Sequence, residues 1–338
     1  MNLNSLWFIL VAVLYAGFFL LEGFDFGVGM LMPILGKNDR QRRAILSTIG
    51  PHWDANEVWL ITAGGATFAA FPRWYGAMFS GFYPLLLLLL LAMIARGAAI
   101  EFRSRLPGAA WRGVWDGAIA IGSLLAAGTL GAVFGNLLRG TPIDASGIYS
   151  GDWLAPFNLY SLICGAAAVC LFLLHGGNFL GLKLDGELGQ RARAGARRLW
   201  FAALILVLGF LSFTFLQTDV VRRLGSGSII LPLVLILGML LIGYFLRRKR
   251  DGWAFFFGGV TVVFFAAAFF IALYPRVMVS SLQPSFSLTI YTAASSDYTM
   301  NVMTIVALIF VPVVVLYQAW SYWIFRRRIG TDREEEGC

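Results

Sequence analysis

The chain has 338 residues, of which 59% are hydrophobic and only 13% are charged. Soluble domains carry about a quarter charged residues, so this composition excludes an ordinary soluble protein and predicts an all-α polytopic membrane protein. The formal net charge of +8 does not indicate a nucleic acid partner, because the basic residues lie between long apolar runs.

Nine apolar segments predict transmembrane helices. In chain order they cover about residues 5–35, 52–72, 75–100, 113–137, 157–181, 199–217, 227–246, 253–274 and 300–325. The second segment is the weakest, since Gly64 and Gly65 interrupt it and Pro72 ends it. Eight spans with a re-entrant loop are therefore the alternative arrangement.

The positions of Lys and Arg favour nine spans. Of the 26 basic residues, 21 lie at residues 37–43, 96–112, 183–198, 247–250 and 326–333. Basic loops mark the cytoplasmic side of a membrane protein, and the first two groups can share that side only if two spans separate them. We therefore expect the N-terminus outside and the C-terminus in the cytoplasm.

The first span contains two carboxyl groups, Glu22 and Asp25, which are three residues apart and share one helix face. An ionisable side chain near the bilayer core costs about 2.5–3.5 kcal/mol and usually faces a cavity, a partner or a proton route. Asp25 is either a protonatable group supplied from the cytoplasm or a hydrogen-bonding group between helices, and both interpretations stay open. For Glu22 the structural interpretation is preferred.

The second span opens with the polar sequence HWDANEVW at residues 52–59. Helical spacing places His52, Asn56 and Trp59 on one face and Asp54 and Glu57 on another. In the predicted topology this helix start lies near the cytoplasmic side at a depth similar to that of Asp25. We therefore expect a cluster of Asp25, His52, Asp54 and Glu57, although Asp54 could equally serve only to favour the helix N-terminus.

The chain has two histidines, His52 and His175. No carboxylate-rich or cysteine-rich metal spacing accompanies them, so the sequence predicts neither a metal site nor a haem held by both histidines. His175 is followed by Gly176, Gly177 and Asn178 and is interpreted as a packing or hydrogen-bonding residue.

A weak internal repeat is visible between the fourth and eighth spans. One opens with Trp115-Asp116-Gly117 and the other with Asp251-Gly252-Trp253, each after a basic loop. A four-helix repeat would give two parallel halves. The simpler interpretation is that Trp favours helix ends and Gly favours close helix packing.

Two long motifs resemble subunit II of the cytochrome bd quinol oxidases. They are GFDFGVG at residues 23–29 and PHWDANEVWLITAGG at residues 51–65. Shorter matching stretches lie at residues 79–83, 134–138, 301–304 and 316–323. The resemblance spans the whole chain and is densest in the first 140 residues.

The resemblance implies a subunit of an enzyme that oxidises quinol and reduces dioxygen to water in the cytoplasmic membrane of a bacterium or archaeon. It implies that haem b558, haem b595 and haem d are ligated by a partner, subunit I. Whether a small single-span accessory subunit joins them stays open. The implied fold has two four-helix bundles, at residues 1–137 and 157–274, and a peripheral helix at 300–325.

The resemblance also implies roles for individual residues. Asp25 and Asp54 match aspartates associated with a cytoplasmic proton route, with His52 and Glu57 as additional candidates. The residue matching Trp59 is associated with oxygen access, and Trp53 is a candidate contact for a structural quinone. Without the resemblance, a proton-coupled transporter or a purely structural subunit would also fit the residues.

The chain departs from this family in three places. Ala55 stands where many relatives have Gly, and Glu57 stands where many have Gln, which could alter the charge of the proton route. The loop at about residues 218–226 is shorter than in some relatives, which puts in doubt any quinone or accessory-subunit contact attributed to that loop.

Overall fold

The computed structural model describes residues 2–330 and is almost entirely helical. The helices are α1 (Leu3–Leu35), α2 (Asp39–Ser47), α3 (Trp53–Ala70), α4 (Pro72–Gly81), α5 (Tyr83–Phe102), α6 (Ala109–Arg139), α7 (Leu159–Lys183), α8 (Gly186–Gln217), α9 (Val220–Leu224), α10 (Ile230–Arg247), α11 (Asp251–Leu273) and α12 (Asp297–Ile324). Two short antiparallel strands, β1 (Arg276–Met278) and β2 (Leu288–Thr289), lie between α11 and α12.

Eight of the helices in the described part of the chain are long and apolar enough to cross a membrane. Helix α3 is not among them, because its first two turns are polar. It nevertheless lies antiparallel to α1 through the same layer. The Asn4 side chain at the start of α1 donates to Ile290 O at 2.8 Å, and Ala70 O at the end of α3 accepts from Ser295 N at 2.9 Å. This arrangement favours the nine-span prediction over a re-entrant loop.

The predicted spans agree with the observed helices to within a few residues, with two exceptions. The span predicted at 75–100 begins inside α4, and α5 begins only at Tyr83. Helix α8 begins at Gly186, whereas the predicted span begins at 199. Its charged first turns are held by bonds to other helices: Arg193 Nε lies 2.8 Å from Asp251 Oδ2, and Arg191 Nη1 donates to Leu35 O at 2.7 Å. These bonds let the helix continue beyond the apolar segment.

Helices α1, α6, α7 and α11 form the centre of the molecule, where glycines bring helix backbones into contact. A Cβ atom on Gly27 of α1 would lie only 2.0 Å from Phe172 O and 2.9 Å from Gly176 Cα of α7. Close approach through small residues is a common way to pack helices in a membrane. Because α1 packs on α7 as intimately as on its own neighbours, the division into residues 1–137 and 157–274 stays a prediction.

Helix α12 lies against the side of this assembly, and only 6% of its apolar stretch is buried. Near its start, Trp7 Nε1 donates to Met300 O at 3.1 Å. Near its end, Gln318 and Tyr322 contact α3. The helix is therefore held mainly at its two ends.

Candidate functional site

Three ionisable side chains are completely buried where α1 meets α5. Glu22, Asp25 and Arg96 each have 0% exposure. Arg96 Nη1 lies 2.7 Å from Glu22 Oε1 and 2.7 Å from Glu57 Oε1, so one guanidinium joins α1, α3 and α5. A buried cation needs such partners, because its desolvation is otherwise uncompensated. We call Glu22, Asp25, Glu57 and Arg96 the carboxyl cluster.

The packing of α6 on α5 helps to direct Arg96 towards the cluster. A Cβ atom on Gly122 of α6 would lie 2.8 Å from Ala92 O and 3.0 Å from Arg96 Cβ, so the two helices touch at this level. The side chain of Arg96 extends instead towards α1, with its guanidinium carbon 5.0 Å from the centre of the Phe26 ring. Aromatic faces attract a guanidinium that has left water.

Asn56 connects Asp25 to the last helix. Its Nδ2 donates to Asp25 Oδ2 at 2.7 Å. Its Oδ1 accepts from Gln318 Nε2 at 2.9 Å and from Tyr322 Oη at 3.1 Å. The Asn56 side chain is fully buried, so these bonds supply the partners that a buried amide requires.

His52 continues this series of polar groups. Its ring stacks on that of Tyr322, with centroids 4.2 Å apart and an angle of 9° between the planes. Its Nδ1 lies 3.4 Å from Ser321 Oγ. His52, the residue before α3, and Asn56 both contact Tyr322, whereas Trp59, predicted on the same face, lies against Gly17.

Within residues 2–330, Asp54 makes no hydrogen bond or ion pair to the other predicted residues. It is exposed, and its Oδ1 accepts a hydrogen bond from the backbone N of Ala55 at 2.8 Å. The expectation that it joins Asp25, His52 and Glu57 in one cluster stays a prediction. Asp54 is in the first turn of α3, one turn before Glu57, and does not reach Arg96 as Glu57 does.

The two tryptophans of this segment pack against different helices. A Cβ atom on Gly17 of α1 would lie 2.5 Å from Cε3 of Trp59, so the indole covers that glycine. Trp53 approaches α5, with its Cζ3 at 3.4 Å from the position of a Cβ on Gly97. Both side chains are partly buried. Their assignments to oxygen access and to quinone contact stay predictions.

Arg96 and Glu22 are the residues whose importance the sequence interpretation missed. The sequence interpretation counts Arg96 in the basic group at residues 96–112, at the end of the predicted span 75–100, whereas the residue lies inside α5 and is inaccessible to solvent. For Glu22 the sequence interpretation prefers a structural role but names no partner. The available signal was the position of Arg96 directly after the uninterrupted apolar run at residues 85–95.

His175 occupies a tightly packed position in α7. Its ring stacks on Phe255, with centroids 4.8 Å apart and an angle of 5°. Its Nε2 lies 3.3 Å from Leu20 O, and a Cβ atom on Gly258 would lie 3.1 Å from its Nδ1. These contacts agree with the packing interpretation.

Residues 3–325 match the family described as cytochrome bd terminal oxidase subunit II. The chain belongs to this family. It is 44% identical to cytochrome bd ubiquinol oxidase subunit 2 of Bacillus subtilis (strain 168) over 97% of both chains. It is 37% identical to cytochrome bd-I ubiquinol oxidase subunit 2 of Escherichia coli (strain K12), over 98% of this chain and 96% of that protein.

A solved structure of bd oxidase from Geobacillus thermodenitrificans has the same fold, with a TM-score of 0.73 over 96% of this chain and 99% of that one. Its sequence identity is 19%, so it shows the fold alone. As a bd oxidase subunit II with several apolar helices, the chain is a multi-pass bacterial membrane protein. The family also implies a subunit I partner.

His175 does not fit a haem iron. A histidine binds iron through a ring nitrogen in the plane of the ring, and both nitrogens of His175 face protein atoms: Nε2 lies 3.3 Å from Leu20 O, and a Cβ atom on Gly258 would lie 3.1 Å from Nδ1. Within residues 2–330, no group of three or more His, Cys, Asp or Glu side chains could hold a metal ion. We therefore derive no chemical step through a haem in this chain.

Proposed function

We propose that this subunit II supports a haem-bearing subunit I in a quinol:oxygen oxidoreductase and supplies protons from the cytoplasm for reduction of dioxygen to water. Quinol as the electron donor is suggested by the ubiquinol named for both relatives. The observation that carries the proposal is the carboxyl cluster, which places Glu22 and Asp25 out of contact with solvent inside a membrane-spanning helix.

Reduction of one dioxygen to two waters consumes four electrons and four protons. The haems that we assign to subunit I, b558, b595 and d, would carry the electrons and the oxygen chemistry. Protons cannot cross hydrocarbon, so a series of polar groups and waters must lead them to the reaction site. This chain's own residues would hold and transfer those protons.

The composition of the cluster suits proton exchange. Glu22, Asp25 and Glu57 lie in one cluster with a single guanidinium, that of Arg96, which contacts Glu22 and Glu57. Full ionisation would therefore leave two negative charges without a cation in a poorly polarisable interior. Bound protons would relieve this excess. The cluster therefore has the capacity to take up a proton and to release it when the surrounding charge changes.

The cluster also has the features of a hydrated site. Among residues 2–330, Asp25 Oδ1, Glu22 Oε2 and Arg96 Nη2 are buried without a hydrogen-bond partner. Buried polar atoms of this kind are normally satisfied by ordered water. Water bound there would complete a path for protons between the carboxyl groups.

The order of the residues along α3 supports a direction for this path. Asp54 is exposed at the helix start, and Glu57, one turn further along, has a side chain with 21% exposure. Arg96 and the buried Glu22 and Asp25 follow. We infer that Asp54 collects protons at the cytoplasmic surface and that His52, through Tyr322 and Asn56, forms a second polar connection to Asp25.

Several further assignments rest on the family and the charge pattern. We propose that the chain lies in the cytoplasmic membrane with its N-terminus outside, and that two four-helix bundles and the peripheral α12 make up the subunit. Trp53 and Trp59 are retained as candidates for quinone contact and oxygen access. The subunit composition of the purified complex would show whether an accessory subunit joins it.

The test is Asp25→Asn in the complete complex, purified in mild detergent through a tag on this chain. Asn keeps the shape and can still accept from Asn56, but it cannot bind and release a proton. We expect quinol-dependent oxygen uptake to fall at least about 100-fold, the lower end of the contribution typical of a positioned proton-transfer group. The reduced-minus-oxidised spectrum should keep its haem b and d bands.

Asp251→Asn is the matched control, because Asp251 is also a mostly buried aspartate paired with an arginine but lies outside the cluster. It should leave turnover nearly unchanged. Asp54→Asn should give a smaller loss than Asp25→Asn, since neighbouring surface groups can replace a proton collector. Full turnover of an assembled Asp25→Asn complex would refute the proton route, and loss of the haems together with subunit I would favour a structural role. A colourless preparation of the wild-type chain alone would favour the transporter hypothesis.

A further inference from the structure

Lys183, the last residue of α7, binds the chain directly after α12. The residue is only 7% exposed, and its Nζ donates to Phe325 O and, at 3.2 Å, to Arg327 O. Among residues 2–330, no carboxylate pairs with this ammonium. The carbonyl groups at a helix end lack intrahelical partners and carry partial negative charge, so a lysine side chain is well suited to hold them.

Backbone bonds also attach this segment to the turn between α7 and α8, but further from the helix. Ile329 N donates to Lys183 O at 2.8 Å, and Asp185 N donates to Ile329 O at 3.3 Å. These bonds fix residue 329, whereas α12 already ends at Ile324. The Lys183 side chain, by contrast, reaches Phe325, the residue that directly follows the helix. The position of the helix end therefore depends on the lysine.

The end of α12 carries the side chains that contact α3. Tyr322 is one turn before Phe325, and its Oη lies 2.9 Å from Asn56 Nδ2 and 3.1 Å from Asn56 Oδ1. Gln318, one turn earlier, donates to Asn56 Oδ1 at 2.9 Å. The Phe325 ring meets the His52 ring edge to face, with centroids 5.5 Å apart. Because residues three or four apart share a helix face, a shift of the helix end would move these groups together.

Asn56 links the position of α12 to Asp25. Its Nδ2 donates to Asp25 Oδ2 at 2.7 Å and to Leu21 O at 3.3 Å, so the amide nitrogen faces α1. Its Oδ1 faces α12, where Gln318 and Tyr322 supply the donors. A carboxylate that has released its proton is only an acceptor and needs such a donor beside it. The amide is thus held from both sides, and its position relative to Asp25 depends on α12.

The opposite end of α12 is too distant to set this position. There, Trp7 Nε1 donates to Met300 O at 3.1 Å and to Thr304 Oγ1 at 3.0 Å. Thr304 is about 27 Å from Tyr322 along the helix, at 1.5 Å per residue. Pro312 lies between them inside the helix and removes one backbone hydrogen bond, so the helix can bend there. The two ends of α12 therefore need separate attachments.

We propose that Lys183 is a positioning residue for proton transfer at Asp25. It binds the backbone oxygens after α12 and so holds this helix where its polar side chains direct Asn56 towards Asp25. Lys183 acts through α12 and not on the carboxyl group itself. The inference rests on the proton route proposed above, and it adds the residue that keeps the geometry of that route fixed during turnover.

The experiment compares variants of Lys183 in the complete complex, purified in mild detergent through a tag on this chain. Quinol-dependent oxygen uptake is measured in light and in heavy water at several quinol concentrations. Lys183→Met keeps an apolar stem but donates no hydrogen bond. We expect kcat to fall about fivefold, the factor that corresponds to one ordinary hydrogen bond, with KM for quinol unchanged. The ratio of rates in light and heavy water should rise, because proton transfer then limits turnover more strongly.

Three further variants sharpen this result. Lys183→Arg keeps a charged donor and should restore most of kcat. Lys183→Gln keeps a shorter, neutral donor and should give an intermediate loss, and it takes the place of Lys183→Met if that complex does not assemble. Gln318→Met leaves the lysine bonds intact but removes a donor to Asn56 Oδ1, and it should raise the isotope ratio in the same way.

Arg328→Gln and Trp7→Phe are the matched controls. Arg328 Nη1 lies 3.1 Å from Asp185 Oδ1 in the same segment, but both side chains are about half exposed, so solvent screens the pair. Trp7→Phe removes the bonds at the opposite end of α12 and should lower the unfolding temperature. Both variants should keep the kcat and the isotope ratio of the wild type.

Asp25→Asn separates this proposal from the proton route on which it rests. If Asp25→Asn lowers oxygen uptake while the Lys183 variants and Gln318→Met keep the wild-type kcat and isotope ratio, the positioning role is overturned and the proton route stands. If Asp25→Asn also keeps full turnover, the proton route itself is wrong. A fall in kcat that is equal in Lys183→Met and Trp7→Phe, with an unchanged isotope ratio, would show that Lys183 only stabilises the fold and would also overturn the proposal.

Discussion

Helices α1 and α7, which meet at the centre of the molecule, each bury a pair of polar residues three positions apart, but the two pairs are chemically different. In α1 the pair is Glu22 and Asp25, and in α7 it is His175 and Asn178. The α7 pair contacts backbone oxygens: His175 Nε2 lies 3.3 Å from Leu20 O, and Asn178 Nδ2 donates to Ala254 O at 3.3 Å. The α1 pair instead requires side chains from two other helices, Arg96 of α5 and Asn56 of α3.

This difference separates a packing role from a chemical one. Backbone oxygens can satisfy a neutral polar pair, but buried carboxyl groups need a cation, protons or water. The second half of the chain keeps its ion pairs at helix ends, as in Arg193 with Asp251 and Arg276 with Asp219. The first half also places one, Arg96 with Glu22, inside the layer of spanning helices.

Replacing Arg96 by Met should give the largest loss of stability and so the clearest difference between the two pairs. The change removes the only guanidinium of the carboxyl cluster and leaves Glu22 buried without its cation. Removal of one partner of a buried pair costs about 3–5 kcal/mol, so we expect little assembled complex and a much lower unfolding temperature. The measurement is thermal unfolding of the purified complex together with its yield.

The double variant Arg96→Met with Glu22→Gln should recover part of that stability, because it removes both charges. Asn178→Leu is the control from the second half of the chain. It should destabilise the complex less, because it leaves no unpaired charge in the protein interior. A single Arg96→Met variant as stable as Asn178→Leu would contradict the view that the two pairs differ.

Gly27→Ala tests the close contact between helices α1 and α7. The new methyl would lie 2.0 Å from Phe172 O, a backbone atom that cannot rotate away. Overpacking typically costs about 1–3 kcal/mol, so the unfolding temperature should fall clearly. Gly65→Ala is matched to it, because a Cβ atom at Gly65 meets nothing within 4 Å. Equal unfolding temperatures for both variants would show that α1 and α7 are less closely packed than described.

The smallest effect is expected from Asp219→Asn at the end of α8. Two hydrogen bonds from Arg276, at 2.7 and 2.8 Å, hold the pKa of Asp219 below its ordinary value. Because the folded-state pKa is the lower one, the contribution to stability is present above about pH 3.9, the unfolded value, and is lost as the pH falls through the folded value.

The Asp219 side chain is 39% exposed, so solvent screens the pair and the loss should be small. Thermal unfolding at pH 7 should place Asp219→Asn slightly below the wild type, and the difference should shrink near pH 3. A difference that grows on acidification would show that Arg276 does not favour the charged form of Asp219.

The sequence was sufficient to predict most of the helices, but it was much less informative about the contacts within the site. Apolar length determines where a chain can span a membrane, so most helix bounds agree with prediction. Contacts between distant helices have no such local signature: Arg96 is 39 residues from Glu57, and only the tertiary fold places the two side chains side by side. For the same reason Asp54, which shares the motif of Glu57, could not be recognised as a surface residue.

The attachment of α12 to Asn56 has a consequence for biosynthesis. Ribosomes make a chain from its N-terminus, so α1, α3 and α5 are in the membrane before residues 318 and 322 exist. Until then the Asn56 oxygen lacks the bonds from Gln318 and Tyr322. Helix α12 thus completes the hydrogen bonds of a polar interior that is inserted before it. A nascent chain that ends before α12 would keep this interior incomplete and hydrated, in a form that membrane proteases can recognise.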